Sequence, residues 1–362
     1  MESLQLPAHG SNPDYLYQAL NVEKPKKWLD FSVNVNPFGM PPSIESHWKD
    51  LVAKISDYPD PHSTQLKNRL AEKEAIAPEN ILIGNGAAEL IFLLASHFRE
   101  QDILIVDPAF SEYRTACKAY GCRVHSLTLI EDTEWTLTLE SILPHLEGKA
   151  AVFLCNPNNP TGVRMNKNVL LSIVDAAYER NVTCIIDEAF YDFCLDPYSL
   201  VPYIAKYPNL VVLRSFTKMY AIAGIRLGWI AGNADLISQL HMLKPHWSVN
   251  AIAEQIGLLC LNEDEFVRNT AIKIARERLR LKAELEQLDF AVSNSETNYY
   301  LLKDKRTKDV RQLLTFLMAN GIVARHTENF IGLDGIYLRA AVKTDKENDQ
   351  LLSVLQSWRK TC

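Results

Sequence analysis

Short runs of apolar residues alternate with helical patterns through the first two thirds of the chain. Most of these runs are continuous rather than alternating, which is typical of strands that are buried on both faces of a sheet. They are 81–83, 103–106, 124–127, 151–154, 184–186, 210–213 and 229–231. Because helical patterns such as 90–98 and 167–180 separate them, we predict an α/β domain with a mostly parallel seven-stranded sheet sandwiched by helices.

The pattern changes after about residue 240. A long, charged amphipathic segment over 265–288 predicts a helix that spans between two domains. Apolar segments and helical patterns then alternate over 298–358, which predicts a smaller α+β domain. A length of 362 residues also favours two domains.

We therefore divide the chain into three parts. Residues 1–45 contain the turn-rich segment 34–42 and are expected to form an arm that packs with the small domain and a partner subunit. The large domain is expected to cover 46–240 and the small domain 241–362.

Composition narrows the class of protein. The chain is 47% hydrophobic and 23% charged, with a net charge of −6 and no basic run, which argues against nucleic acid or an anionic membrane as partner. No segment is typical of a signal peptide or a membrane span. The seven cysteines are scattered and fit neither a metal site nor a disulfide framework, so we expect a cytoplasmic protein.

Candidate chemistry centres on Lys218, which follows the apolar run 210–213. Ser215 and Thr217 lie just before it and Arg226 lies eight residues after it. Open α/β sheets bind ligands at strand ends, where apolar surroundings and a nearby cation lower the pKa of an amine. Hydroxyls and a guanidinium suit a phosphate, so a Schiff base with pyridoxal phosphate is one hypothesis. Lysine is nevertheless a surface residue in most positions.

Other predicted strands are also followed by residues that could bind a ligand. The segment 84–89 (Gly-Asn-Gly-Ala-Ala-Glu) is a glycine-rich turn into a helix, and such turns bind anions. The segment 107–113 offers Phe110 or Tyr113 as a flat face for a ring, although either aromatic could simply pack.

Two further strand ends carry polar residues. Asn159 lies in the turn 156–162, where it could donate to a ligand oxygen or merely belong to a rigid turn. Asp187 follows the buried run 184–186, and a carboxylate there is costly unless a cation faces it. A pyridinium nitrogen or a structural salt bridge would satisfy it.

Together these motifs resemble a known family. Asn-Pro-Asn-Asn-Pro-Thr-Gly at 156–162, Asp-Glu-Ala at 187–189 and Ser-Phe-Thr-Lys at 215–218 are similar to the motifs of fold type I pyridoxal-phosphate enzymes, in the histidinol-phosphate aminotransferase-like branch. The resemblance covers 84–229. It implies that Lys218 binds the cofactor covalently and that Asp187 pairs with the pyridine nitrogen.

The resemblance also assigns the remaining cofactor contacts. Phe110 is expected to stack on the ring and Asn159 to bond the ring hydroxyl. The expected phosphate ligands are Ser215, Thr217, Arg226 and the backbone of Gly86, Ala87 and Ala88. Tyr58 resembles the tyrosine that family members lend to the cofactor phosphate of the partner subunit, which implies a homodimer with shared active sites.

Two positions depart from the family pattern. Phe190 stands where many relatives carry a tyrosine that touches the ring oxygen, so Asn159 should be the main donor. Ala87 and Ala88 lack a side-chain hydroxyl or carboxylate for the phosphate.

Segments outside these motifs carry a narrower resemblance. Residues 9–12, 30–41, 245–250 and 329–334 are similar to the threonine-phosphate decarboxylases of cobalamin synthesis. That similarity implies decarboxylation of L-threonine O-3-phosphate to (R)-1-amino-2-propanol O-2-phosphate. The substrate contacts it suggests are His9, Asn12, Asn34, Asn159, Arg325 and Arg339. A substrate with a carboxylate and a phosphate needs two cationic anchors, and the two arginines are the candidates.

Three alternatives remain. The nearest is histidinol-phosphate aminotransferase, which uses the same cofactor for transamination. A nicotinamide dehydrogenase could use 84–89, although position 89 is Glu where a third glycine is wanted, and this hypothesis leaves Lys218 and Asp187 unexplained. A regulator built on this fold is third, because the chain has no added DNA-binding domain.

Overall fold

The computed structural model describes residues 6–7, 10, 12–307 and 309–361. The strands are β1 Leu29–Asp30, β2 Ile81–Gly84, β3 Asp102–Asp107, β4 Arg123–Thr128, β5 Ala151–Cys155, β6 Thr183–Asp187, β7 Leu210–Ser215, β8 Gly228–Ala231, β9 Phe290–Val292, β10 Tyr299–Asp304, β11 Ile322–Val323, β12 Arg325–His326 and β13 Leu338–Ala341. The helices are α1 Pro13–Leu20, α2 Pro42–Ser46, α3 Trp48–Val52, α4 Thr64–Glu74, α5 Gly86–His97, α6 Ser111–Ala119, α7 Leu139–Leu146, α8 Lys167–Tyr178, α9 Ala234–Leu243, α10 Ala251–Cys260, α11 Asp264–Gln287, α12 Val310–Ala319 and α13 Asp345–Arg359.

The predicted seven-stranded sheet is confirmed. Its order is β2-β8-β7-β6-β5-β3-β4. Among the described strands of this sheet, only β8 runs antiparallel to its neighbours. Successive residues of a strand enter two separate cores: on β6, Cys184 and Ile186 pack in one and Ile185 in the other. Helices therefore cover both faces, which is why the strands other than the exposed edge strand β4 are continuously apolar.

The smaller sheet belongs to the C-terminal part of the chain. Its order is β12-β13-β10-β9, and every pair is antiparallel. The register places Arg325 of β12 opposite Arg339 of β13. Because directly paired residues point to the same face of a sheet, both arginine side chains extend from the same face of this sheet.

The apolar segment 322–325 is divided between two sheets. Ile322 and Val323 form β11 and pair in parallel with β1 near the N-terminus. Arg325 and His326 form β12 and pair with β13. This division attaches the N-terminal segment to the small domain, and the Phe31 carbonyl also accepts a hydrogen bond of 2.8 Å from the Ala341 N–H.

The two domains also meet at the turn 156–162. The Ser293 hydroxyl donates to the Thr161 carbonyl at 2.7 Å, and the Glu296 N–H donates to the Gly162 carbonyl at 2.9 Å. Gly162 has φ +74°, and a Cβ there would collide with the Ser295 hydroxyl, so only glycine fits. The turn that carries Asn159 is thus held by the small domain.

No helix in the described ranges is both long enough and apolar enough to cross a membrane.

A buried ion pair joins the last helix to the small sheet, and this yields a stability prediction. Arg359 lies 2.7 Å from the Asp304 carboxylate, with exposed side-chain fractions of 8% and 0%. We expect Arg359→Ala to lower the free energy of unfolding by about 3–5 kcal/mol, because it leaves a buried carboxylate without its cation.

Arg306→Ala is the matched control, because Arg306 pairs with Asp289 and both side chains are half exposed. It should cost less than about 1 kcal/mol. Denaturant unfolding of both variants measures the difference, and equal losses would refute the role given to burial.

Candidate active site

A cavity of about 260 Å³ lies between the carboxyl ends of the central strands and the small sheet. The predicted site residues that line it are Asn34, Ala87, Ala88, Phe110, Asn159, Asp187, Ser215, Thr217, Lys218, Arg226, Arg325 and Arg339. Candidates from eight separate parts of the sequence therefore converge on one cavity. They include residues that are 305 positions apart in the sequence.

Lys218 follows the end of β7 and provides the amine of the site. Burial, helped by the positive charges of Arg339 and Arg226, lowers the pKa of Lys218 to about 8, although Asp187 opposes this change. Roughly a tenth of such an amine is unprotonated at pH 7, against roughly one part in three thousand at the ordinary lysine pKa. Lys218 is therefore a usable nucleophile near neutral pH.

Asp187 ends β6 and is the acid group of the cavity. The Tyr113 hydroxyl donates to Asp187 Oδ2 at 2.5 Å and the Ala189 N–H donates to Oδ1 at 2.9 Å. Burial raises the pKa of Asp187, and these two hydrogen bonds act against that rise. The carboxylate is thus oriented on a rigid strand end, where a cationic ring nitrogen would satisfy it.

The hydroxyls of Ser215 and Thr217 are 2.6 Å apart beside the N-terminus of α5. Gly86, the first residue of α5, has φ +75°, and a Cβ there would lie 2.5 Å from Nη2 of Arg226. On β8, a Cβ at Gly228 would lie 2.9 Å from the Ala87 nitrogen. Two glycines therefore allow a helix N-terminus, two hydroxyls and a guanidinium to approach one point, which is an arrangement suited to phosphate.

Arg339 connects the small domain to Asn159. Its Nη1 donates to Asn159 Oδ1 at 2.7 Å and its Nη2 donates to the Ser32 carbonyl at 2.8 Å, while Nε has no hydrogen-bond partner among the described residues. Burial lowers the pKa of Arg339 to about 10. Because Arg339 occupies Oδ1, the Nδ2 donor of Asn159 is available to a ligand.

Arg325 is the second buried guanidinium of the cavity. It donates to the His326 carbonyl at 2.8 Å and to Asn329 Oδ1 at 2.6 Å. Burial, with a further contribution from Arg339, lowers the pKa of Arg325 to about 9. Asn34 lines the same cavity, and its buried Oδ1 has no hydrogen-bond partner in the described part of the chain.

The charge of the cavity is strongly unbalanced. Four cationic side chains line it, and Asp187 is the one carboxylate among the described lining residues. Cations buried close together raise the free energy of the empty cavity unless anions enter it. The arrangement therefore favours ligands with more than one negative charge.

Three of the predicted site residues that the structure describes do not line the cavity. Gly86 is not a lining residue and packs closely against the Arg226 side chain. Tyr58 is 85% exposed, and Asn12 is an exposed residue before α1 that borders only a small space behind Arg325. His9 lies outside the described residues.

The structure also adds residues that the sequence did not indicate. Tyr113 was considered only as a flat face, yet its hydroxyl holds Asp187. Ser32 and Phe330 line the cavity and were not proposed. Their position depends on contacts between distant segments, so no local pattern could have found them.

Comparisons with known proteins agree with this geometry. Residues 26–355 match the family model for aminotransferase class I and II. A threonine-phosphate decarboxylase from Salmonella typhimurium is 35% identical over 97% of this chain and 96% of that protein. A histidinol-phosphate aminotransferase from Caldanaerobacter subterraneus is 32% identical over 94% of this chain and 95% of that protein.

A solved structure shows the same fold. The crystal structure of the histidinol-phosphate aminotransferase from Clostridium acetobutylicum has a TM-score of 0.86 and 31% identity, and covers 92% of this chain and 99% of that chain. Relatives with two different activities are thus similarly close, and overall likeness does not select between the two activities.

The lowered pKa of Lys218 gives a pH prediction. The rate at which the cofactor-free protein captures pyridoxal 5′-phosphate should rise roughly eightfold between pH 6.5 and 7.5 and level off above about pH 9, because only the unprotonated amine reacts. Stopped-flow absorbance measures this rate.

Arg339→Gln should move the midpoint of that profile upward, because it removes a cation that lowers the pKa of Lys218. A rate that keeps rising to pH 10 in the unmodified protein would show that Lys218 titrates as an ordinary lysine.

Proposed function

Because the chain belongs to the aminotransferase class I and II family, whose members use pyridoxal 5′-phosphate, we propose that it is a cytoplasmic decarboxylase of L-threonine O-3-phosphate. The product would be (R)-1-amino-2-propanol O-2-phosphate, for cobalamin biosynthesis. The observation that carries this proposal is the pair of buried guanidiniums, Arg325 and Arg339, in the cavity that also contains Lys218.

The residues present fit the cofactor. Lys218 would bind it through Nζ, and Asp187 would face its ring nitrogen. Phe110 would contact its ring and Asn159 its ring oxygen. The N-terminus of α5, together with Ser215, Thr217 and Arg226, would bind its phosphate. When bound, the cofactor supplies an electron sink that stabilises negative charge on the substrate Cα. The glycines at 86 and 228 support this assignment, since a Cβ at 86 would collide with Arg226 and a Cβ at 228 would press on the backbone nitrogen of Ala87.

The charges of the substrate match those of the cavity. L-Threonine O-3-phosphate carries one amine, one carboxylate and one phosphate, so each buried guanidinium would gain an anionic partner. Asn34 Oδ1 offers an acceptor for a donor group on the ligand. Histidinol phosphate carries only one anionic group, so it would bring less negative charge into this cationic cavity. Each anionic group gains charge-assisted hydrogen bonds from guanidiniums, which favours the substrate with two anions.

The reaction also needs a proton at Cα after carbon dioxide leaves. The Nζ of Lys218 is the donor that we propose, because the exchange of substrate onto the cofactor frees this amine inside the cavity. A pKa near 8 keeps most of the free amine protonated at neutral pH and still allows it to release a proton. Arg325 and Arg339 bind and orient the substrate, which decides the bond that breaks.

We also propose a homodimer in which Tyr58 reaches the partner's cofactor site. Tyr58 is 85% exposed and contacts the Trp247 ring at 5.5 Å between centroids. Large apolar side chains are exposed in the two segments that this contact joins: Trp48, Val52, Ile55, Met242, Leu243 and Trp247. Such a concentration of exposed apolar groups is typical of a protein interface.

The direct test of the activity is product identification. Incubation with L-threonine O-3-phosphate should release carbon dioxide and form the amino-propanol phosphate in equal amounts, without 2-oxoglutarate. Mass spectrometry and carbon dioxide trapping measure both products. The Lys218→Ala variant should release none, because it lacks the amine that binds the cofactor.

The result that would overturn this activity is turnover that requires 2-oxoglutarate. Consumption of histidinol phosphate with formation of glutamate would identify the aminotransferase instead.

A subunit-mixing experiment tests the shared site. Lys218→Ala and Tyr58→Ala should each be nearly inactive alone. When the two are refolded together, each mixed dimer should contain one complete site, so roughly a quarter of the wild-type activity should return. If Tyr58 serves its own subunit, no dimer has a complete site and no activity returns.

A further inference from the structure

Tyr299 holds the turn that carries Asn159. It is the first residue of β10, its side chain is fully buried, and its hydroxyl donates to the Asn158 carbonyl at 2.9 Å. This hydrogen bond crosses from the small domain to the large domain. The same carbonyl also accepts from the Gly162 N–H at 2.7 Å, a hydrogen bond within the turn. The Tyr299 hydroxyl adds the hydrogen bond from the small domain, so the two donors together fix the peptide group that precedes Asn159.

The ring of Tyr299 also touches two walls of the cavity. The Phe190 ring meets it edge to face, with centroids 4.8 Å apart. The Arg339 guanidinium lies over it at 5.6 Å, and Arg339 donates to Asn159 Oδ1. Tyr299 therefore supports Asn159 from two sides, through the backbone of Asn158 and through Arg339.

The position of Asn159 matters more here because Phe190 lacks a hydroxyl. Oδ1 of Asn159 accepts from Arg339, so Nδ2 is the atom left to donate to the ring oxygen of the cofactor. The strength of that hydrogen bond depends steeply on distance and angle. A small shift of the turn 156–162 would weaken it.

We propose that Tyr299 is a positioning residue whose hydroxyl sets the hydrogen bond from Asn159 to the cofactor ring oxygen. This inference rests on the proposed contact between Asn159 and the cofactor. It does not depend on which substrate the protein uses. Its test can therefore be made on the cofactor-loaded protein without any substrate.

The expected signature is a change in the titration of the bound cofactor. A donor to the ring oxygen stabilises negative charge there, which lowers the pKa of the nitrogen that joins Lys218 to the cofactor. Tyr299→Phe removes the hydroxyl but keeps the ring that Phe190 and Arg339 contact. We expect the pKa of that nitrogen to rise by roughly half a unit, as fits a weakened neutral hydrogen bond. Absorbance against pH measures it.

Tyr300→Phe is the matched control. Tyr300 is the next residue of β10, is equally buried, and has a hydroxyl without a hydrogen-bond partner among the described residues. Successive side chains of a strand point to opposite faces, so this variant removes a buried hydroxyl away from the cavity. Its absorbance titration should match that of the wild type.

A double-variant cycle separates positioning from general loosening. Asn159→Ala should raise the same pKa by more than Tyr299→Phe does. Tyr299→Phe should then add nothing in the Asn159→Ala background, because the hydrogen bond that it tunes is already absent. Thermal unfolding checks that all four proteins are folded at the temperature of the titration.

Kinetics supply a second readout if threonine phosphate is turned over. Tyr299→Phe should lower kcat roughly 3- to 10-fold and leave KM within about twofold, because the ring beneath Arg339 remains.

The proposal is overturned if Tyr299→Phe titrates like Tyr300→Phe, or if the pKa shift that it causes persists undiminished in the Asn159→Ala background. Failure of the proposed substrate leaves the absorbance test unaffected, so the two failures are distinguishable.

Discussion

The site depends on positive charges gathered around one cavity opposite a single carboxylate, and two of these charges, Arg325 and Arg339, are buried. Lys218, Arg226, Arg325 and Arg339 face one cavity in which Asp187 is the carboxylate among the described lining residues. Burial, together with the positive charges of Arg339 and Arg226, holds the pKa of Lys218 near 8. The same excess of positive charge suits ligands with several negative groups. The cations of the cavity thus contribute both to the reactivity of the amine and to the proposed binding of a phosphorylated acid.

Topology explains how these charges come together. The parallel strands β5, β6 and β7 end at the same edge of the central sheet, so residues that follow them are neighbours in space. The small sheet adds two arginines from opposed positions on β12 and β13. The turn 156–162 connects both parts, since Asn159 accepts from Arg339 while the preceding carbonyl accepts from Tyr299. Closely packed, hydrogen-bonded contacts of this kind fix the relative position of the domains.

Much of this arrangement could be predicted from the sequence, and the limits have a physical basis. Six of the seven strands were recognisable because strands buried on both faces are continuously apolar, whereas β4 lies at the edge of the sheet and is largely exposed. Strand-end residues such as Asp187 and Lys218 could then be placed at one edge. Pairings between distant segments leave no local pattern, so the β1 to β11 contact and the division of 322–325 were not foreseen. The support of Asp187 by Tyr113 was missed for the same reason.

The central claim is that the buried amine of Lys218 is the residue that binds the cofactor. Borohydride reduction of the purified, cofactor-loaded protein, followed by peptide mapping, tests it most directly. The account predicts one pyridoxyl group per chain, on the peptide that contains Lys218. A label on another lysine, or one spread over several lysines, would contradict it.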